Sequence, residues 1–344
     1  MKQKKLKILF RTYGGKIKNK QTGLGHIFRC VNLAHYLKKS AEIHFLVEDY
    51  GGVKKILSQL GFKKITLLSK NVSLEYDIKK TIQYIEDNNI DILIIDKHKT
   101  NTKYLRELRN FVKTVIITDL NNVNLSVDLL VNGYVGLKNK KYKNKFNSLC
   151  LTGPLYQILN HQFSKQPKLH RKKYDILVTF GGLDEKGIVN VFLDSLKENV
   201  TKLKIKIILG PIANKSRKAL TFSKKFKKNI VLVQETKNMY KEILDSKFGF
   251  TTGGVTTYEF ASMNVPFAII CDDKHQIPTA RTWDKRKSGV NLGFLNDNTV
   301  QKIEKIIECM IDDCLPKFPK NNFVDGQGAM RVSSEIIKLI DVTK

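Results

Sequence analysis

The 344-residue chain has no apolar run near the roughly 18–20 residues that a bilayer span requires, and its opening MKQKKLKILF has only a short apolar core before Arg11. Neither a membrane-spanning helix nor an export signal is expected, which points to the cytoplasm. The five cysteines, Cys30, Cys150, Cys271, Cys309 and Cys314, are odd in number and lack the close spacing of a zinc knuckle or redox dithiol. They read as reduced thiols. Acidic residues are scarce, 32 against 61 Lys plus Arg, for a formal net charge of +29. The excess is mostly lysine spread along the whole chain, Lys138, Lys140, Lys141, Lys143 and Lys145 included. Specific nucleic-acid recognition would need a contiguous basic groove, preferably with stacking aromatics, and is not expected. A solvated lysine face fits the spread, and weak peripheral attraction to the anionic inner face of a membrane is the alternative.

What the chain does have is material for a large core: 42% hydrophobic residues, with 18 Phe and 12 Tyr beside a single Trp. Disordered and low-complexity classes are thereby excluded, and the length suits two domains. From residue 6, short β-branched runs alternate with helical stretches, the pattern of parallel strands joined by crossover helices. LKILF, EIHFLV, KITLL, DILIID and KTVIIT form one series, and VDLLVN (127–132) is expected to close its sheet. Near-continuous apolar strands indicate a sheet covered on both faces. Polar, basic, aperiodic sequence follows, and a second series runs through YDILVTF, KIKIILG, NIVLV, FGFTT and PFAII. The expected division is 1–160, 170–328 and a terminal helix in 329–344. Two such α/β domains are expected to hold a ligand between them, at the carboxyl ends of their strands.

Three glycine-bearing turns follow strands. In TGLGHIFRC (22–30), Gly23 and Gly25 allow close approach of a ligand, and His26 opens a helix whose first N–H groups attract phosphate or developing negative charge. An imidazole there takes a proton, positions a ligand or serves structure; Arg29, on the same helical face, meets an anion or pairs with an acid. In TFGGLDEKG (179–187), Gly181 and Gly182 form a tight turn, and Asp184 contacts a ligand or caps the helix. The turn matches neither the dinucleotide fingerprint nor a phosphate loop with its GK[ST], which counts against nicotinamide chemistry and ordinary ATP hydrolysis. In FTTGGVTTYEFASMNVPFAII (250–270), Thr252, Gly253 and Gly254 are able to hold a diphosphate, and Glu259 to accept hydrogen bonds from both ribose hydroxyls. The alternative is a capping segment and a surface glutamate. His275 and Gln276 are placed to donate to a sugar hydroxyl or phosphate, and Asp96 and His98 line a cleft floor or cap a helix. Adjacent Asp272 and Asp273 point apart without companion histidines, so no metal site is expected.

In this order and spacing, TGLGHIFRCVNLAHYL, TGPLYQIL, DILVTFGGLD, TTGGVTTYEFASMNVP and HQIPTA resemble the UDP-sugar hydrolase family of pseudaminic acid biosynthesis and its spore coat polysaccharide relatives. The sequence more distantly resembles the enzyme that adds N-acetylglucosamine to lipid-linked muramyl pentapeptide. The resemblance covers nearly the whole chain. It implies an α/β GT-B fold: two Rossmann-like domains with parallel sheets facing across a cleft, a nucleotide-sugar held mainly by the second, and the last helix crossing back to the first. It implies further that His26 is catalytic, that Glu259 grips ribose, that Gly253 and Gly254 lie beside the diphosphate and that Gln276 touches the sugar. Asp184 would belong to the turn the family writes GGTD, and Tyr156 would shape the interdomain GPxY segment. The implied reaction is hydrolysis of a UDP-activated amino sugar, such as UDP-2,4-diacetamido-2,4,6-trideoxyhexose, with His26 activating water and inversion at the anomeric carbon. Transfer to a glycan or lipid-linked acceptor, and non-catalytic nucleotide-sugar binding, are the alternatives. No D-x-D motif occurs, in keeping with a site that takes no metal or other cofactor. Two departures fall in the first domain: Thr12 and Tyr13 follow Arg11 where the hydrolases carry Arg, one residue, Asp, and Asp96-Lys97-His98 stands in place of D-x-Y. Both fall on the side expected to recognise the sugar or acceptor, with Arg11 expected in the cleft.

Overall fold

A computed structural model describes residues 5–15, 23–97, 100–165, 170–182, 184, 186–210, 213 and 216–341. The chain divides into two units, Met1–His161 with Gln327–Lys344, and Gln162–Gly326.

The first unit runs β1 (Leu6–Gly14), α1 (Gly25–Leu37), β2 (Ala41–Asp49), α2 (Val53–Gln59), β3 (Lys64–Leu68), α3 (Leu74–Asn88), β4 (Ile92–Asp96), α4 (Thr102–Arg109), β5 (Lys113–Ile117), β6 (Leu129–Asn132), β7 (Lys140–Lys143) and β8 (Leu149–Thr152). Its eight strands lie in the order β3-β2-β1-β4-β5-β6-β8-β7. Alternation along each strand sends side chains to opposite faces. Ile8, Phe10, Ile92 and Ile94 pack with α1, whereas Leu9, Leu93 and Ile95 pack with α3 and α4. Both layers are therefore closed by amphipathic helices, as the apolar strands require. Ser73 and Asn101 fix where α3 and α4 begin, their side chains accepting from the backbone N–H of Tyr76 and Tyr104.

The expectation that 127–132 closes this sheet is corrected. β8 pairs parallel with β6, and β7 pairs antiparallel with β8 beyond it. The sequence KKYK has no apolar alternation because it forms an exposed sheet edge, where lysine discourages a further strand from pairing.

The second unit runs β9 (Tyr174–Thr179), α5 (Ile188–Leu196), β10 (Ile205–Leu209), α6 (Arg217–Lys225), β11 (Ile230–Gln234), α7 (Met239–Leu244), β12 (Ser246–Thr251), α8 (Thr256–Ser262), β13 (Phe267–Cys271), α9 (Ile277–Lys285), β14 (Gly289–Phe294) and α10 (Thr299–Ile311). Its six strands, ordered β11-β10-β9-β12-β13-β14, are parallel throughout. This is the doubly wound order, with the switch point between β9 and β12; the first sheet repeats it between β1 and β4. The last helix, α11 (Gly328–Asp341), belongs to the first unit, where Ala329, Val332 and Ile336 share a core with Ile27, Val31 and Ala34 of α1.

Candidate functional site

At the switch point of the first sheet, charged side chains converge. His26, in the first turn of α1, places Nδ1 2.7 Å from Oδ1 of Asp96, the last residue of β4. Arg29, one turn further along α1, grips the same carboxylate at two points, Nε to Oδ2 at 2.7 Å and Nη2 to Oδ1 at 2.6 Å. It grips Asp119 in the same way, Nη1 to Oδ1 at 2.7 Å and Nη2 to Oδ2 at 3.2 Å. Burial by itself would push the Asp96 carboxyl up; the Arg29 guanidinium, followed by His26, outweighs it and holds the group well below the usual carboxylate range. An ionised Asp96 only accepts, so the shorter contact, to Asp96, puts a proton on Nδ1, and in the neutral tautomer the lone pair is on Nε2; Arg29 Nη2 lies 3.2 Å from the same Nδ1. Tyr13 lies against the ring with centroids 4.7 Å apart. A carboxylate that fixes tautomer and orientation behind a histidine is the arrangement of a general base. The His26 side chain is 19% exposed.

For Asp96 the expectation changes, and for Arg29 the acid-pairing alternative holds. Asp96 is fully enclosed behind His26 rather than lining a cleft floor. Arg29 does not reach for a ligand: it is nearly buried and committed to two carboxylates, which makes it a positioning residue. Asp119 was not anticipated, although it directly follows the apolar run KTVIIT as Asp96 follows ILII. A Cβ at Gly23 or Gly25 would meet no atom within 4 Å, so those glycines leave open space before His26.

Arg11, expected in the cleft, is wholly buried. It points to the sheet face covered by α3, with Nε 2.7 Å and Nη2 2.9 Å from the two carboxylate oxygens of Asp77, and Nη2 3.5 Å from Glu48. Lys97 also pairs with Asp77. Burial opposes ionisation of Asp77, and Arg11, then Lys97, more than offset it. The first-domain departures from the hydrolase motifs thus belong in part to a buried four-charge network. His98 lies outside the described residues. Tyr156, in a short turn over Pro154–Tyr156, is half-buried against the core of the first unit.

In the second unit, the turn after β9 needs glycine at Gly181, which has φ +75°. Asp184 accepts from the N–H groups of Ile188 at 2.7 Å and Val189 at 3.2 Å, and so caps α5; burial pushes its carboxyl up to about 6. Gly182 is exposed and Thr252 buried. Gln276, expected to touch a sugar, is turned inward: Oε1 accepts from Gly253 N–H at 3.3 Å and Asp272 N–H at 3.2 Å, while Nε2 donates to Asp272 Oδ1 at 2.6 Å. It positions the turn after β12, and a Cβ on Gly253 would come within 2.7 Å of Gln276 Cβ. Beside it, Gly254 is exposed with nothing within 4 Å of where a Cβ would lie. Glu259 in α8 is half-buried and has no basic partner among the described residues; burial pushes its carboxyl up to about 7, against a hydrogen bond from Thr256. His275 is exposed, with Nδ1 2.7 Å from Asp273.

No family model matches the chain. An uncharacterized protein of Methanocaldococcus jannaschii, MJ1062, is 29% identical over 292 residues, which is 80% of this chain; the match spans 59% of the relative's own length. The spore coat polysaccharide biosynthesis protein SpsG of Bacillus subtilis is 22% identical over 326 residues, 91% of this chain and 94% of its own. Among solved structures, MurG of Acinetobacter baumannii aligns over 96% of this chain and 99% of its own, with TM-score 0.64 and 13% identity. UGT2 of Phytolacca americana, complexed with UDP-2-fluoro-glucose and pterostilbene, aligns over 98% and 94%, with TM-score 0.63 and 11% identity.

The chain has the GT-B fold. At these identities the likeness to solved structures is one of architecture. In this GT-B chain the charged cluster and the glycine turns each occupy the switch point of their own sheet, where doubly wound folds take ligands. Among the described residues, no three His, Cys, Asp or Glu side chains are grouped to hold a metal ion, and no helix is long and apolar enough to cross a membrane.

Proposed function

We propose that this GT-B protein is an enzyme acting at the anomeric carbon of a UDP-sugar, with His26 as the base that takes the proton of the attacking hydroxyl. The His26–Asp96 contact of 2.7 Å carries the reading, because it leaves Nε2 as the basic nitrogen. Arg29 serves by holding Asp96. The second unit receives the nucleotide: Gly253, Gly254 and Thr252 hold the diphosphate, and Glu259 accepts from the ribose hydroxyls. Charge on departing UDP is stabilised by backbone N–H groups, without a tightly held metal.

The attacking hydroxyl is that of a glycan or lipid-linked acceptor, so the reaction is sugar transfer with inversion. The complex of UGT2 with a UDP-sugar analogue and a second molecule supports this reading. Hydrolysis of a UDP-diacetamido-trideoxyhexose is the second reading, favoured by the order of the motifs around His26 and Gln276, which resembles that of the UDP-sugar hydrolases. Exposed Lys138, Lys140, Lys141, Lys143 and Lys145, with exposed Phe146, suit weak peripheral contact with an anionic membrane.

Product analysis separates these readings. The purified protein is incubated with UDP-N-acetylglucosamine and with UDP-2,4-diacetamido-2,4,6-trideoxyhexose, each with and without a lipid-linked acceptor extract. Release of UDP only with acceptor, lost in His26→Ala, supports transfer; UDP and free sugar without acceptor support hydrolysis. UDP-sugar binding without turnover under any of these conditions would sink both.

A further inference from the structure

Away from the nucleotide-sugar residues, the end of α10 brings two thiols together. Asp313 adopts φ +54°, and around it the N–H of Cys314 donates to the carbonyl of Cys309 at 2.8 Å, while Asp312 N–H donates to Glu308 O at 2.9 Å. A six-to-one bond around a left-handed residue is the helix-ending loop in which the side chains of its first and last residues meet. Here those residues are Cys309, part-exposed, and Cys314, exposed. The neighbouring Cys309 side chain pushes the Cys314 thiol up. The other cysteines, Cys30, Cys150 and Cys271, are buried. Spacing alone suggested five unrelated thiols; the C-terminal loop of the helix pairs two of them.

We propose that Cys309 and Cys314 form a reversible disulfide, an oxidation site that staples the carboxyl end of α10. With glutathione disulfide as oxidant, the Cys314 thiolate attacks one glutathione sulfur and expels glutathione thiolate. The Cys309 thiolate then attacks the Cys314 sulfur of the mixed disulfide and expels the second glutathione. Two protein thiols lose two protons and two electrons, and glutathione disulfide is reduced to two molecules of glutathione. The bridge closes a short ring at the end of the helix whose Ile303 and Ile307 sit in the second-unit core, with Met310, Ile311 and Leu315 packed against it. It adds a covalent link to a helix end that the reduced form holds by backbone hydrogen bonds, and the second unit melts higher in the oxidised form.

The folded full-length protein is treated with glutathione disulfide at about pH 8.5, because the neighbouring Cys309 side chain keeps the Cys314 thiol protonated above its ordinary range. After acid quench it is unfolded, alkylated with iodoacetamide and cut with trypsin. Residues 306–317 leave as one peptide carrying both cysteines. The expected peptide is lighter by two hydrogens than its reduced form, unalkylated, and restored by dithiothreitol; Cys309→Ser traps glutathione on Cys314. A wild-type peptide alkylated at both positions, or one that retains glutathione on Cys314, overturns the proposal.

Discussion

The two units share a strand order and a switch point, yet they furnish those points in opposite ways. The first fills its own with charge: His26, Arg29, Asp96 and Asp119 in one cluster, and Arg11, Asp77, Glu48 and Lys97 in another. The second offers glycine backbone, hydroxyls and an amide; of its carboxylates there, Asp184 caps α5, Asp272 accepts from Gln276, and burial pushes Asp184 and Glu259 up. A base must be held in one tautomer, which takes a fixed carboxylate and a cation to keep it ionised. On the proposed function, a diphosphate would meet backbone N–H groups at glycine turns, with Asp184 and Asp272 occupied by hydrogen bonds of their own. The same frame is thus specialised by where it puts charge.

That contrast breaks most visibly at His26. His26→Ala should lower turnover by about 10²–10⁴-fold while UDP-sugar Kd, measured by calorimetry, stays unchanged; a matching loss in Kd would mean that the first unit also binds the nucleotide. Next comes Asp96→Asn, which leaves buried Arg29 with one carboxylate and should cost about 3–5 kcal/mol in urea unfolding. Asp119→Asn should cost about 1 kcal/mol or less, because Asp119 is 58% exposed.

Glycine substitutions sharpen the other side. Gly253→Ala drives a Cβ against Gln276, so both stability and UDP-sugar affinity should fall, whereas Gly254→Ala meets only ligand and should weaken UDP-sugar binding about tenfold with an unchanged melting temperature. Equal melting losses in the two variants would refute the difference drawn between these neighbours.

The smallest effect concerns Glu259. Its carboxyl titrates at about 7 in the folded chain against an ordinary 4.5. The folded state therefore holds an extra proton between those values, and the associated stability, complete below 4.5, is lost as pH rises through about 7. Glu259→Gln should match the wild type near pH 4.5 and exceed it at pH 8 by about 1 kcal/mol, allowing for partial exposure. UDP-N-acetylglucosamine affinity should rise with pH through this window in the wild type and stay flat in the variant, since ribose hydroxyls donate to the ionised form.

Much of the fold was legible because parallel strands covered on both faces are written as apolar runs. What escaped did not follow that rule. β7 is four residues of an exposed edge without apolar alternation, and α6 is a short, lysine-rich helix that fully buries only Ala219 and leans Phe222 on the core. At the candidate site, the residue types were readable and their directions were not. Arg11 and Arg29 look alike as cations near glycine turns; strand parity sends Arg11 to the α3 face, and helical spacing sets Arg29 over Asp96. Asp96 and Asp119 share a position, at or just past the end of an apolar strand, that marks switch-point side chains. Gln276 was placed near the right turn, but only a three-dimensional view gives its contact with Gly253.

The return of α11 to the first unit has a consequence for biogenesis. Ala329, Val332 and Ile336 complete a core begun at Ile8, and the whole of 162–326 is translated between them. At about 5–20 residues per second, the emerging amino-terminal unit waits on the order of 10–30 s for its final helix, with the apolar face of α1 uncovered. The second unit, whose strands are contiguous in the chain, has every strand translated before α11. The first unit is thus interrupted in the chain by the whole of the second, and a chain stalled near residue 326 would present a first unit still open to chaperones.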